Sequence, residues 1–208
     1  MIIKKKKKML LLVLAITAIL SYFTHVWLGT ILYEGYNPLT QAISDLTADD
    51  SPVKNITRIF SNLYGLLSVI VVIGFIVYKK EFKRRIVRLG ILLFSLMMII
   101  SAVGYALFPL SESGLANSFQ DIMHMVVTIA VVSLTIVSLI LLAIGFRNVL
   151  YRSITITAFL LLLLSSLAMP LVGPNYFGLM ERINVYTVIL YFGFLAILIF
   201  FVKEKSLI

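Results

Sequence analysis

The chain has 208 residues, 61% of them hydrophobic and 13% charged, with a mean hydropathy of +1.07 and a formal net charge of +9. A soluble domain carries roughly 45–50% apolar residues and must still cover its surface with polar groups, so one soluble core does not absorb this excess. The absence of cysteine excludes disulfides, thiolate metal sites, iron–sulfur clusters and cysteine nucleophiles.

Lipid is the solvent that suits such a chain. There every backbone N–H and C=O must be paired internally, which leaves helices or closed barrels. The long apolar runs lack period-two alternation, and this excludes a barrel. A spanning helix needs about 20 apolar residues. Six stretches qualify: about Met9–Leu32, Ile56–Tyr78, Ile86–Phe108, Phe119–Ile144, Ser153–Val172 and Ile183–Val202. The expected fold is an all-α integral membrane bundle of six transmembrane helices, a single domain over residues 1–208.

The first span follows Lys4 to Lys8. A secretory signal has an apolar region of about 7–15 residues and then a small-residue cleavage site. Here the apolar run continues into Ser21-Tyr22-Phe23-Thr24-His25-Val26-Trp27, which reads as an uncleaved helix. Lys and Arg concentrate in cytoplasmic loops. With the N-terminus inside, every basic residue except Lys54, Arg58 and Arg182 falls inside, Lys203 and Lys205 included. Glu34, Asp45, Asp49, Asp50, Glu112, Asp121 and Glu181 fall outside, against Glu81 and Glu204 inside. Both termini are therefore expected in the cytoplasm, with three hairpins pointing outward. The positive charge follows this topology, so no nucleic-acid partner is expected.

The outer segments hold the polar chemistry. In the first, Ile43-Ser44-Asp45-Leu46-Thr47 precedes Asp49 and Asp50. Ser44 or Asp45 can cap a short interfacial helix or close an Asx turn. The three carboxylates can instead form an acidic rim for a cation or a cationic headgroup, since hard cations take several oxygen ligands. Near the start of the fourth span, Asp121 and His124 stand at i and i+3 on one helix face. A carboxylate beside an imidazole fixes its tautomer, so the pair reads either as a base or proton relay or as a structural hydrogen bond. Glu181-Arg182 opens the sixth span, either as an ion pair at the helix end or as a contact for phosphate or carboxylate. Asn184, Thr187 and Tyr191 form a polar stripe facing the bundle interior. Ser61, Gly65 and Ser68 make a small-residue stripe suited to close helix packing.

His25 lies near the outer end of the first span, with Trp27 at the level of an interfacial aromatic belt. His25, His124 and Asp121 are the weak candidates for a metal site, which needs three protein ligands and an open position. The chain has only two histidines. No Gly-rich phosphate loop, G-x-S-x-G elbow or H-E-x-x-H motif occurs, so no cofactor is expected.

Four segments carry a family likeness: Tyr36-Asn37-Pro38 with Ile43-Ser44-Asp45-Leu46; Gly104 to Phe108-Pro109; His124; and Gly178-Leu179-Met180-Glu181-Arg182. In order and placement they resemble the prokaryotic membrane-protein family called domain of unknown function 998. More distantly the chain is similar to the damage-regulated autophagy modulator-like six-helix membrane proteins. The resemblance implies a six-helix fold, a prokaryotic plasma membrane and a role with envelope lipids, and no catalytic residue.

The leading functional expectation is a protein that binds or senses lipid in an outward-facing cavity between helices one, four and six. Asp45, Asp121, His124 and Arg182 would be its polar contacts, with Ser44, Glu181 and Asn184 beside them. Membrane lipids are the expected partners, and a homo-oligomer is compatible with the sequence. A small transporter or proton-coupled carrier is the alternative, though few charged groups lie near the span centres. An intramembrane lipid hydrolase using Asp121 and His124 is the third reading.

Overall fold

The computed structural model describes residues 2–114 and 118–202. Lys203 and Lys205, counted above for topology, lie outside the described residues, as does the end of the segment from Pro109 to Asn117. The order is α1 (Ile2–Leu32), α2 (Lys54–Tyr78), α3 (Arg85–Leu107), α4 (Phe119–Gly145), α5 (Val149–Val172) and α6 (Phe177–Phe201). Short 3-10 turns lie at Ser44–Thr47, Lys79–Glu81 and Pro174–Tyr176. All six helices are long and apolar enough to cross a membrane. Three begin a turn or more earlier than the hydropathy pattern places them: α1 takes in the lysine run, α5 starts at Val149 and α6 at Phe177. Backbone hydrogen bonding continues through the polar residues at these ends, which apolar periodicity does not register.

Local chemistry sets the helix ends. Ser118 and Asp121 form a reciprocal capping box at the start of α4. The Asn148 side chain accepts from the Tyr151 N–H at 3.2 Å at the start of α5. After α1, Gly35 takes φ +79°, a left-handed conformation that turns the chain out of the helix. Pro170 lies inside the last turn of α5, where it removes one helical N–H.

Each helix packs on its two chain neighbours, and α6 closes back on α1, so the helices form a ring. At the end that carries both described termini, the ring is filled by Phe75, Phe94, Met97, Leu142, Phe146, Phe192 and Leu195. The α3–α4 seam is the tightest. A Cβ on Gly90 would meet Leu142, and one on Gly104 would meet Val127. Ser138 Oγ also donates to the Gly90 carbonyl at 2.9 Å. Close small-residue packing also occurs at Gly74 of α2, where a Cβ would meet Leu11 of α1; of the α2 stripe, Ser68 is buried while Ser61 and Gly65 border a cavity. Outside the ring, Leu10, Leu20, Leu164, Leu167 and Leu171 are exposed. Helices of this length with an apolar outer surface define a multi-pass membrane protein.

Candidate functional site

At the other end of the ring the first connection locks to the second and to the start of α6, forming a roof. Its centre is Arg182 in the second turn of α6. Buried to 8% exposure, its guanidinium donates to the carbonyls of Pro38 at 2.6 Å, Gln41 at 2.8 Å and Gly178 at 3.0 Å. It also donates to the Tyr36 hydroxyl at 2.6 Å, and that hydroxyl donates on to the Ala42 carbonyl at 2.6 Å. The planar fork of Arg suits this convergence of acceptors. Beside it, Leu179 N–H donates to the Leu39 carbonyl at 3.1 Å. A Cβ on Gly178 would run into the Gln41 and Pro38 carbonyls, so only glycine lets the α6 backbone sit this close to the loop.

Glu181 completes the junction. One carboxylate oxygen accepts from the Ile43 N–H, and the other accepts from Ser44 Oγ at 3.2 Å. Asp45 turns the other way. It accepts from the Ala42 N–H at 2.9 Å and from the Gly114 N–H at 3.2 Å, joining the first connection to the second. Asp50 accepts from the Ser113 N–H and hydroxyl. Asp49 accepts from Arg58 at 2.8 Å and Gln120 at 2.9 Å. Burial pushes the Asp45 carboxyl above its ordinary value, against the two N–H donors that favour its charge. The Gln120 and Arg58 donors pull Asp49 below its ordinary value. The three loop carboxylates thus hold the connections to one another and to the helix ends.

Asp121 and His124 share a helix face without pairing. Asp121 accepts from Ser118 within the capping box, and from the Ser111 N–H at 2.7 Å and hydroxyl at 2.5 Å. His124 Nδ1 lies 2.8 Å from the Phe108 carbonyl, which only accepts, so Nδ1 carries the proton. The His124 ring packs 4.9 Å from that of Tyr105. Among the described residues no group of three or more His, Asp or Glu is placed to hold a metal ion. His25, His124 and Asp121 do not converge.

Beneath the roof lies a cavity of about 1010 Å³, bordered by all six helices. The expected site lay between helices one, four and six; this cavity takes in the other three as well, and a smaller cleft between α1 and α6 is bordered by Arg182 and Tyr186. Of the four expected polar residues only His124 borders the larger cavity; Asp45, Asp121 and Arg182 are spent on the roof and the α4 cap. Ser44, Glu181 and Asn184 do border it, together with His25. Asn184 Oδ1 accepts from Ser165 at 2.7 Å and Ser166 at 3.1 Å, tying α6 to α5. Lower on the same stripe, the Tyr191 and Thr155 hydroxyls pair at 2.9 Å. The cavity floor is mostly apolar, with Val69, Met97, Val131, Leu162 and Ile189, and the Thr135 hydroxyl there donates back to the Val131 carbonyl at 2.7 Å. The tyrosines of the wall, Tyr22, Tyr64 and Tyr105, were not singled out by sequence reasoning, because an aromatic in an apolar run carries no mark of whether it faces lipid or the interior.

Six apolar helices closed into a ring, with a polar-roofed cavity at one end, place the chain among multi-pass membrane proteins. Residues 15–198 match the family described as protein of unknown function DUF998, and the chain belongs to it. No curated protein and no solved structure matches the chain. The motifs that carry the family likeness come together in space. Tyr36 to Leu46, Phe108-Pro109, His124 and Gly178 to Arg182 build the roof and the upper wall of the cavity.

Proposed function

We propose that the protein binds a membrane amphiphile in this cavity, with the polar head under the roof and the acyl or isoprenoid chain against the apolar floor. One observation carries the reading: the cavity is polar at the roof end, mostly apolar at the other, and of the volume that small-molecule sites occupy. Its bordering residues Leu66, Val103, Leu107 and Ile129 also reach the exposed outer surface of the bundle, which suits entry from lipid. On the positive-inside pattern, the roof faces outward and the termini face the cytoplasm of a prokaryotic plasma membrane. A binding or sensing role fits better than transport, because the aromatic core at the terminus end closes the ring below the cavity.

The test is native mass spectrometry of the protein purified in mild detergent, wild type beside Val188→Trp, which narrows the cavity from α6. A lipid-mass adduct on the wild type, lost in a variant with an unchanged melting temperature, is the expected result. Bare protein in both, or an adduct equally retained by both, would count against the cavity as a lipid site.

A further inference from the structure

Between roof and floor runs a band of polar side chains, and its donors and acceptors are unevenly used. His25 is the outlier. It is 2% exposed, it borders the cavity, and neither ring nitrogen makes a hydrogen bond of normal geometry; the Tyr22 backbone is the nearest polar group, and the Tyr22 ring stands edge-on at 5.0 Å between centroids. Each unmet buried polar group costs about 1–3 kcal/mol. A histidine held this way is a standing vacancy for one donor and one acceptor, since a neutral imidazole carries one of each. His25 is seven residues from the end of α1, and Asn184 seven from the start of α6. At about 1.5 Å per residue both lie roughly 10 Å below the helix ends, so the vacancy is at one depth with the rest of the band.

Charge narrows the ligand further. Among the described residues, two of fixed charge border the cavity, Glu181 and Arg58. The Arg58 guanidinium is already engaged, with the Thr47 carbonyl at 2.7 and 2.9 Å and with Asp49 at 2.8 Å. Glu181 uses one bond on each oxygen, whereas a carboxylate has about four acceptor sites. Tyr22 and Tyr105 both lie within electrostatic reach of it. A phosphate entering this band would meet a carboxylate in a low-dielectric site, where the one bordering cation, Arg58, is already paired with Asp49 and held to the Thr47 carbonyl through three of its five N–H donors. A hydroxyl head does the reverse: it donates to an imidazole nitrogen or to Glu181 and accepts from the imidazole N–H.

We propose that the cavity selects an amphiphile with a phosphate-free, hydroxyl-bearing head, read by His25 and Glu181. This rests on the cavity being a lipid site and names the class of lipid. The probes are monooleoylglycerol and the lysophosphatidic acid of the same chain, which differ by the phosphate alone, titrated against the purified protein by native mass spectrometry. The wild type is expected to bind the monoacylglycerol about tenfold or more tighter. His25→Phe is expected to weaken monoacylglycerol binding by roughly fivefold, about one hydrogen bond. The same variant should melt no lower than the wild type when empty, because it removes an unpaired polar group. Glu181→Gln is expected to narrow the preference by strengthening the phosphate probe. Equal binding of both probes, or a preference for the phosphate, would overturn the assignment while leaving the cavity a lipid site. Binding of neither probe would overturn both.

Discussion

Arg182 shows how one side chain can act as an architectural pin. Its donors end on three backbone carbonyls and a tyrosine hydroxyl, drawn from residues more than 140 positions away as well as from its own helix. Replacing it leaves those buried acceptors unmet, so Arg182→Gln should destabilise the protein by about 3 kcal/mol or more. Arg182→Lys should recover only part, since an ammonium lacks the planar fork. Thermal unfolding in detergent reads both. The loop carboxylates add a pH signature. Asp45 has a raised carboxyl pKa in the fold, so the folded state holds that proton more tightly than the unfolded chain. Its contribution is full below the ordinary carboxylate value and falls as pH rises through the raised one. Asp49 is lowered, so its contribution is full above the ordinary value and is lost as pH falls through the lowered one. Melting temperature against pH should accordingly lose its decline above the ordinary carboxylate value in Asp45→Asn. In Asp49→Asn it should lose part of its fall on acidification.

At the scale of elements, the two ends of the bundle are held by different means. The roof end relies on hydrogen bonds between connections. The terminus end relies on packing and on one buried ion pair. Lys8 of α1 pairs with Glu81 of the α2–α3 connection and donates to the Val202 carbonyl at 2.7 Å, just past α6. Lys4 stands 2.9 Å from the other Glu81 oxygen. Three chain segments thus meet at one carboxylate that is 4% exposed. Removing one partner strands a buried charge, whereas replacing both with apolar groups often costs little. Lys8→Met leaves Glu81 with the part-exposed Lys4 alone, so it should destabilise by about 2 kcal/mol, and adding Glu81→Leu should restore most of the loss. A double-mutant cycle by thermal or denaturant unfolding measures the coupling. The lysine run marks this end in the sequence, but its even charge hides that Lys8 is buried while Lys5, Lys6 and Lys7 are exposed. The Asp121–His124 spacing left a relay and a structural hydrogen bond both open, and each residue has a structural partner of its own. Shared helix face was right, yet the capping box claimed the carboxylate and the Phe108 carbonyl claimed the imidazole.

For the whole molecule, the composition and six apolar runs determined that the chain is a helical bundle in a membrane. The reason is general: unpaired backbone polar groups are too costly in hydrocarbon, so length and hydropathy alone select the helix. The family was legible too, in short motifs whose spacing survives without knowledge of the fold. Tertiary structure alone decided that the helices close into a ring, and that the site is bounded by all six of them rather than by three. It alone decided which polar residues are consumed by architecture, as Asp45, Asp121 and Arg182 are, and which are buried without a partner, as His25 is. Residue type states how many hydrogen bonds a side chain can make. Whether those bonds are already met depends on partners from distant segments, which become neighbours only when the ring closes and the connections lock.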